Sequence, residues 1–137
     1  MSALREAMEL ELKERVVPAL RSVGFRGSFP HFRRIGPEQV DLLSFQFDKY
    51  GGGFIVEIAQ CPAAGFETPW GEHIPAKRVN ARQIAHPRPR LRPDGEDEGF
   101  WFRFDGGETP QSAAALLIPL IATKAESWWR TRGHSSL

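Results

Sequence analysis

VDLLSFQFDKYGGGFIVEIAQ, residues 40–60, decides the fold. Two runs rich in β-branched and aromatic residues, VDLLSFQFD (40–48) and GFIVEIAQ (53–60), flank a Lys-Tyr-Gly turn. Such residues suit a pleated, half-buried surface, and glycines supply the reversal between them. The segment predicts a β-hairpin. Matching side chains set its register. With Asp48 opposite Gly53, Phe47 faces Phe54, Phe45 faces Val56 and Leu43 faces Ile58. All are apolar and share one face, and a slip of one residue would send them to the other.

Working outward, FPHFRRI (29–35) precedes the turn sequence IGPEQV and adds a third antiparallel strand. It brings Phe32 beside Leu43 and Arg34 beside Asp41. The core face is then Phe32, Leu43, Phe45, Phe47, Phe54, Val56 and Ile58. The opposite face carries three rows: Phe29, Gln46, Ile55; His31, Ser44, Glu57; and Arg33, Leu42, Ala59.

Before the sheet, Leu4, Met8, Leu12, Val16 and Leu20 recur every four residues, with Val23 closing the stripe, and predict an amphipathic helix. Pro18 predicts a kink or local break, and Gly24 the stop. After the sheet, residues 61–79 are rich in Pro and Gly and show no period, so they read as an irregular excursion. VNARQIA fits either a strand or a short helix. PRLRP (89–93) and GFWFRFD (99–105) read as a later hairpin around an acidic turn. In that hairpin Arg92 opposes Trp101, Arg90 opposes Arg103, Arg88 opposes Asp105 and Leu91 opposes Phe102. A final helix begins with Thr109 as N-cap and Pro110 at its first position. Its stripe runs through Ala113, Leu116, Leu117, Leu120, Ile121 and Trp128, with Pro119 as an interruption. Trp128 and Trp129 point to different sides, one packed and one partly exposed. Residues 130–137 read as a frayed tail. The order predicts a single α+β domain over 1–137, an antiparallel sheet packed by the N-terminal and C-terminal helices.

Together, VGFRG, FPHFRR, LLSFQFDKYGGGFIVEI, PRLRP, the aromatic FWF and the paired tryptophans resemble the bacterial domain-of-unknown-function family DUF 4304. The resemblance covers the chain from the first helix through the last. It implies a compact α+β domain and carries no catalytic or binding residue with it.

Composition bounds the function. The chain has 137 residues, 41% hydrophobic and 26% charged, and a formal net charge of +1. That size buries a full core without staples. So small a net charge gives no global attraction to nucleic acid or anionic membrane, and any basic site must be local. The single cysteine, Cys61, excludes an internal disulfide and a cysteine-built metal cage. The N-terminal pattern is charged and amphipathic rather than a signal peptide, and the expected location is the cytoplasm, with no membrane role.

The row of His31, Ser44 and Glu57 invites a hydrolytic reading, since an imidazole can activate a hydroxyl and a carboxylate can orient the imidazole. Against it, Ser44 lies mid-strand, between the other two, and no helix N-terminus offers an oxyanion hole. A non-catalytic ligand surface is the better expectation, combining His31, Arg33, Ser44, Gln46 and Glu57 with apolar neighbours. Arg88, Arg90, Arg92 and Arg103 beside Trp101 form a second candidate, because guanidinium groups beside an indole suit a phosphate or carboxylate. Residues 77–93 hold six Lys/Arg and no Asp/Glu, yet the carboxylates at 94–98 stand close by. The prolines at 87, 89 and 93 equally suit a solvated edge strand. His31, His73, His86 and His134 lack metal-ligand spacing, and neither a metal nor a cofactor is implied. DKYGGGF joins two strands and lacks the following helix that a phosphate loop needs. The leading expectation is a non-enzymatic binding or protein-interaction domain, engaging a partner protein or itself. The alternatives are a binder of small anions or, less favoured, nucleic acid through the arginine segment, and last a hydrolase-like enzyme at the polar face.

Overall fold

A computed structural model describes residues 2–135, the side chains of 133–135 excepted. In chain order the elements are α1 (Ala3–Glu11), α2 (Val17–Ser22), β1 (Arg26–Ser28), β2 (His31–Ile35), β3 (Gln39–Phe47), β4 (Gly53–Pro62), β5 (Phe66–Glu67), β6 (His73–Ile74), β7 (Phe102–Arg103), α3 (Pro110–Leu120) and α4 (Glu126–Ser135). The arrangement is α+β, with an antiparallel sheet ordered β1-β2-β3-β4-β7 and a small separate sheet of β5 and β6.

The β3–β4 hairpin has the expected register, pairing Phe47 with Phe54, Phe45 with Val56 and Leu43 with Ile58. β2 joins it with Phe32 opposite Leu43 and Arg34 opposite Asp41. The turn closes through Asp48 N–H donating to the Gly53 carbonyl at 2.9 Å. Gly52 is required there, since a Cβ at that position would collide with the Asp105 side chain.

Both expected helices form, and neither breaks at its proline. Instead a π-helical turn appears near each one, at Leu12–Val16 before Pro18 and at Ile121–Ala125 after Pro119. The wider turn before Pro18 rearranges the carbonyls facing a ring that cannot donate and crowds the preceding turn. Gly24, at φ +99°, ends the first helical stretch, with Phe25 N–H bonded to the Leu20 carbonyl and Gly24 N–H to Arg21. Thr109 caps α3, its hydroxyl accepting from the Ser112 amide. The tail expected over 130–137 is helical as far as Ser135, and Ser136 and Leu137 lie outside the described residues.

The helices pack on the predicted face of the sheet. Met8, Leu12, Val16, Leu20, Ala113, Leu117, Ile121, Ala125 and Trp129 bury against Phe32, Leu43, Phe45, Phe54, Val56 and Ile58. Leu4, Val23 and Leu116, expected on the stripes, are exposed. Trp129 is the packed indole, 1% exposed, and donates to the Ala59 carbonyl at 3.0 Å. Trp128 is half-buried at the edge of the core.

Three expectations change. The strand read as 29–35 starts at His31, because Phe29 and Pro30 form the reversal between β1 and β2. Phe29 consequently leaves the polar face and stacks on Phe45 with ring centres 5.2 Å apart. PRLRP and FWF pair with β4 rather than with each other. Phe102 and Arg103 lie opposite Phe54 and Gly53, and Arg90 bridges to Glu57. β4 is ten residues long, and its outer edge needs partners along its length. Pro89, which has no N–H, contributes its carbonyl to Ile58, and Leu91 donates to Val56. The expected pairings of Arg92 with Trp101, Arg90 with Arg103, Arg88 with Asp105 and Leu91 with Phe102 are therefore not formed.

The last change concerns the second face of the sheet. The excursion folds back over it. Ile74, Val79, Ala81 and Ile84 bury against Val40, Leu42, Ala59 and Cys61 to make a second, smaller core. VNARQIA becomes a short 3₁₀ turn, Ala81–Gln83, capped reciprocally by Asn80 and Gln83.

Candidate functional site

The polar face of the sheet is built from alternate residues of β2, β3 and β4, and the excursion leaves it only partly accessible. His31 Nδ1 and Ser44 Oγ are 2.7 Å apart, so the imidazole and hydroxyl do meet. Ser44 is 1% exposed, which removes it from any substrate. Glu57 is 8% exposed, and its carboxylate accepts from Arg88 Nε at 3.1 Å. The same guanidinium donates to the carbonyls of Arg82 and Ile84, which straps the covering segment to the sheet. On the far side Arg33 Nε donates to the Val79 carbonyl at 3.1 Å. Burial, followed by the charges of Arg82 and Arg33, holds the His31 imidazole below its ordinary pKa and favours its neutral form. Gln46 sits half-buried opposite Ile55 in the neighbouring row. The serine and the carboxylate are both committed to internal partners. The face reads as a satisfied polar layer rather than as a catalytic constellation.

The arginine segment is different. Running along the outer edge of β4, it presents Arg88, Arg90 and Arg92 to a pocket of about 370 Å³. Glu57, His86, Pro87, Pro89, Glu98 and Trp128 complete its wall. Arg90 stacks over Trp101 with its guanidinium 5.2 Å from the ring centre and donates to the Phe100 carbonyl. Neither Arg90 nor Arg92 forms an ion pair among the described residues. Lys124, at the end of the π turn before α4, fixes this edge to the helices. Its ammonium donates to the Arg92 carbonyl at 3.0 Å and pairs with Asp94 at 2.6 Å. Arg103 lies apart, exposed and paired with Asp105 at 3.0 Å.

A larger hollow of about 590 Å³ lies between the start of α1 and the β3–β4 turn. Arg5 and Lys49 there face Asp48 and Asp105, so its lining has no excess of either charge to choose a ligand. Among the described residues no group of three or more His, Cys, Asp or Glu side chains could hold a metal ion. No described helix is long and apolar enough to cross a membrane. Cys61 is buried beneath the excursion, and burial pushes its thiol up to about 11, which keeps it protonated at neutral pH.

The family model described as a domain of unknown function, DUF4304, matches residues 16–131. The chain belongs to the DUF4304 family. Searches of curated proteins and of solved structures found no match. The DUF4304 match spans both the polar face and the arginine edge and begins beyond α1.

Sequence reasoning placed His31 with Ser44, Glu57 on the same row, and Arg90 beside Trp101, and the structure brings these together. It grouped Arg88 with the outer arginines, whereas Arg88 is turned to Glu57. It missed Arg82 beside His31, and His86, Glu98 and Trp128 as walls of the arginine pocket. The partial exposure expected for one of the paired tryptophans was the available signal for Trp128. Nothing in the local pattern of residues 94–99 reveals that Glu98 turns back towards the arginines.

Proposed function

We propose that the protein is a non-enzymatic binding domain that takes an anionic group at the arginine edge of its sheet. The observation that carries this reading is the convergence of Arg88, Arg90 and Arg92 on one pocket, with the charges of Arg90 and Arg92 uncommitted to any ion pair among the described residues. Arginine's planar fork suits carboxylate and phosphate oxygens, and Trp128 with Pro87 and Pro89 offers apolar surface beside them. The hydrolase reading has less support, because Ser44 is sealed and Glu57 is engaged by Arg88. Nucleic acid also fits less well, since Glu57 and Glu98 line the same pocket as the arginines.

Calorimetric titration of the full chain with inorganic phosphate tests the reading. Binding should weaken as salt rises, and the Arg90→Ala/Arg92→Ala variant should bind at least about tenfold more weakly, as expected for charge-assisted hydrogen bonds. Arg92→Ala alone removes no internal hydrogen bond or ion pair among the described residues, so an unchanged urea midpoint beside weakened binding isolates the charge. Equal affinity in wild type and double variant at low ionic strength would overturn the assignment.

A further inference from the structure

Trp128 lines two hollows. One is the arginine pocket, and the other, of about 540 Å³, runs over the outer face of the C-terminal helix along Thr123, Lys124, Ser127 and Thr131. Lys124 belongs to the second hollow while its ammonium holds the Arg92 carbonyl of the first, so the two share a wall as well as an indole. Resting on the arginine-edge reading above, we infer that the two hollows form one groove for an extended peptide segment of a partner protein, with acidic residues next to an apolar one.

Charge and shape select that occupant. At one end Arg90 and Arg92 face the pocket without ion-pair partners among the described residues, and they match carboxylates. At the other end Lys124 is the sole ionisable side chain of the lining and is already paired with Asp94, which leaves the Trp128 ring and threonine methyl groups as a seat for an apolar side chain. The Arg132 guanidinium stacks over the Trp128 ring at 5.3 Å and steadies it. From Thr123 to Thr131 the helix rises about 12 Å, the length of roughly four extended residues. A nucleic-acid strand would bring a phosphate at every nucleotide past Glu98 and Glu57, whereas a peptide can place its carboxylates against the arginines alone. A half-buried tryptophan beside arginines also has the composition of an interface anchor.

A phage-displayed library of random ten-residue peptides, selected on the full chain, tests the inference. Enriched sequences should place Asp or Glu beside Leu, Ile, Phe or Val. For a selected peptide, Trp128→Ala should weaken binding about tenfold or more. Thr131→Glu, at an exposed position, should weaken the peptide in the same way by setting a carboxylate in its path without disturbing the core. Because Thr131 lines the second hollow and not the arginine pocket, Thr131→Glu should bind inorganic phosphate within about twofold of wild type. No enrichment, enrichment without acidic residues, or full affinity in both variants overturns the groove while leaving phosphate binding to stand. Single-stranded DNA of ten nucleotides binding more tightly than every selected peptide would replace the peptide with nucleic acid. Loss of phosphate binding in the wild type instead sinks the arginine-edge reading itself.

Discussion

His31 shows how one residue's chemistry is set by neighbours that its own sequence context does not name. Its partner Ser44 was visible from strand register, because β2 and β3 pair residue by residue. Arg82 was not, since it arrives on a turn from far along the chain. Burial first, then Arg82 and Arg33, lowers the imidazole's pKa below the ordinary 6.5. The unfolded chain therefore binds more protons than the folded one just below pH 6.5, and stability must rise with pH there. This contribution is present above the unfolded value and is lost as pH falls through the lowered folded value. The thermal midpoint should be lower at pH 5 than at pH 7.5, and His31→Asn should reduce that difference while keeping a polar partner for Ser44. An equally steep profile in the variant would remove His31 as the source.

The helices carry a register problem that their own spacing announces. Each four-residue step overshoots an α-helical turn by about 40°, so three steps from Met8 to Leu20 accumulate about 120°. A π turn absorbs one additional residue, about 100° of rotation, and returns the stripe to the sheet. The same device explains the tryptophans. Ala113, Leu117, Ile121, Ala125 and Trp129 are spaced by four and all buried, with the π turn Ile121–Ala125 among them. A regular helical period selects Trp128 for the core, and the inserted turn selects Trp129 instead. The strict spacing of four beside a proline was in the sequence, but the position of the wide turn depends on what the helix packs against. At the end of the first helical stretch, Gly24 holds φ +99° and leaves only 3.3 Å between a Cβ and the Arg34 side chain. Gly24→Ala should cost about 1–2 kcal/mol, read from the shift of a urea midpoint at constant slope. A stabilising effect would show that this backbone geometry relaxes freely.

On the scale of the whole molecule, the decisive event is the closure of the sheet's second face. The excursion has no hydrophobic period, yet it and the VNARQIA segment that follows supply Ile74, Val79, Ala81 and Ile84 to a core with Val40, Leu42, Ala59 and Cys61. These residues lie in turns and short segments, so periodicity could not identify them as core. Ile84→Ala should cost about 3 kcal/mol through lost burial and a residual cavity, measured by urea unfolding. It should also speed alkylation of Cys61 by iodoacetamide several-fold, because the raised pKa and burial of that thiol both depend on the cover. A cost below about 1 kcal/mol with an unchanged alkylation rate would mean that the cover contributes little in solution.

The sequence by itself determined the β3–β4 hairpin, its register, the adjoining β2, the existence of both helices and the cap residues Gly24 and Thr109. These depend on local periodicity, turn chemistry and cross-strand matching, which a short stretch of chain contains in full. Only the tertiary structure decided that the arginine and aromatic segments each pair with β4, that Arg88 turns inward to Glu57, and that Glu98 and Trp128 complete the arginine pocket. Those outcomes follow from competition among distant segments for one unpaired sheet edge and one uncovered face, and no local pattern records which segment wins.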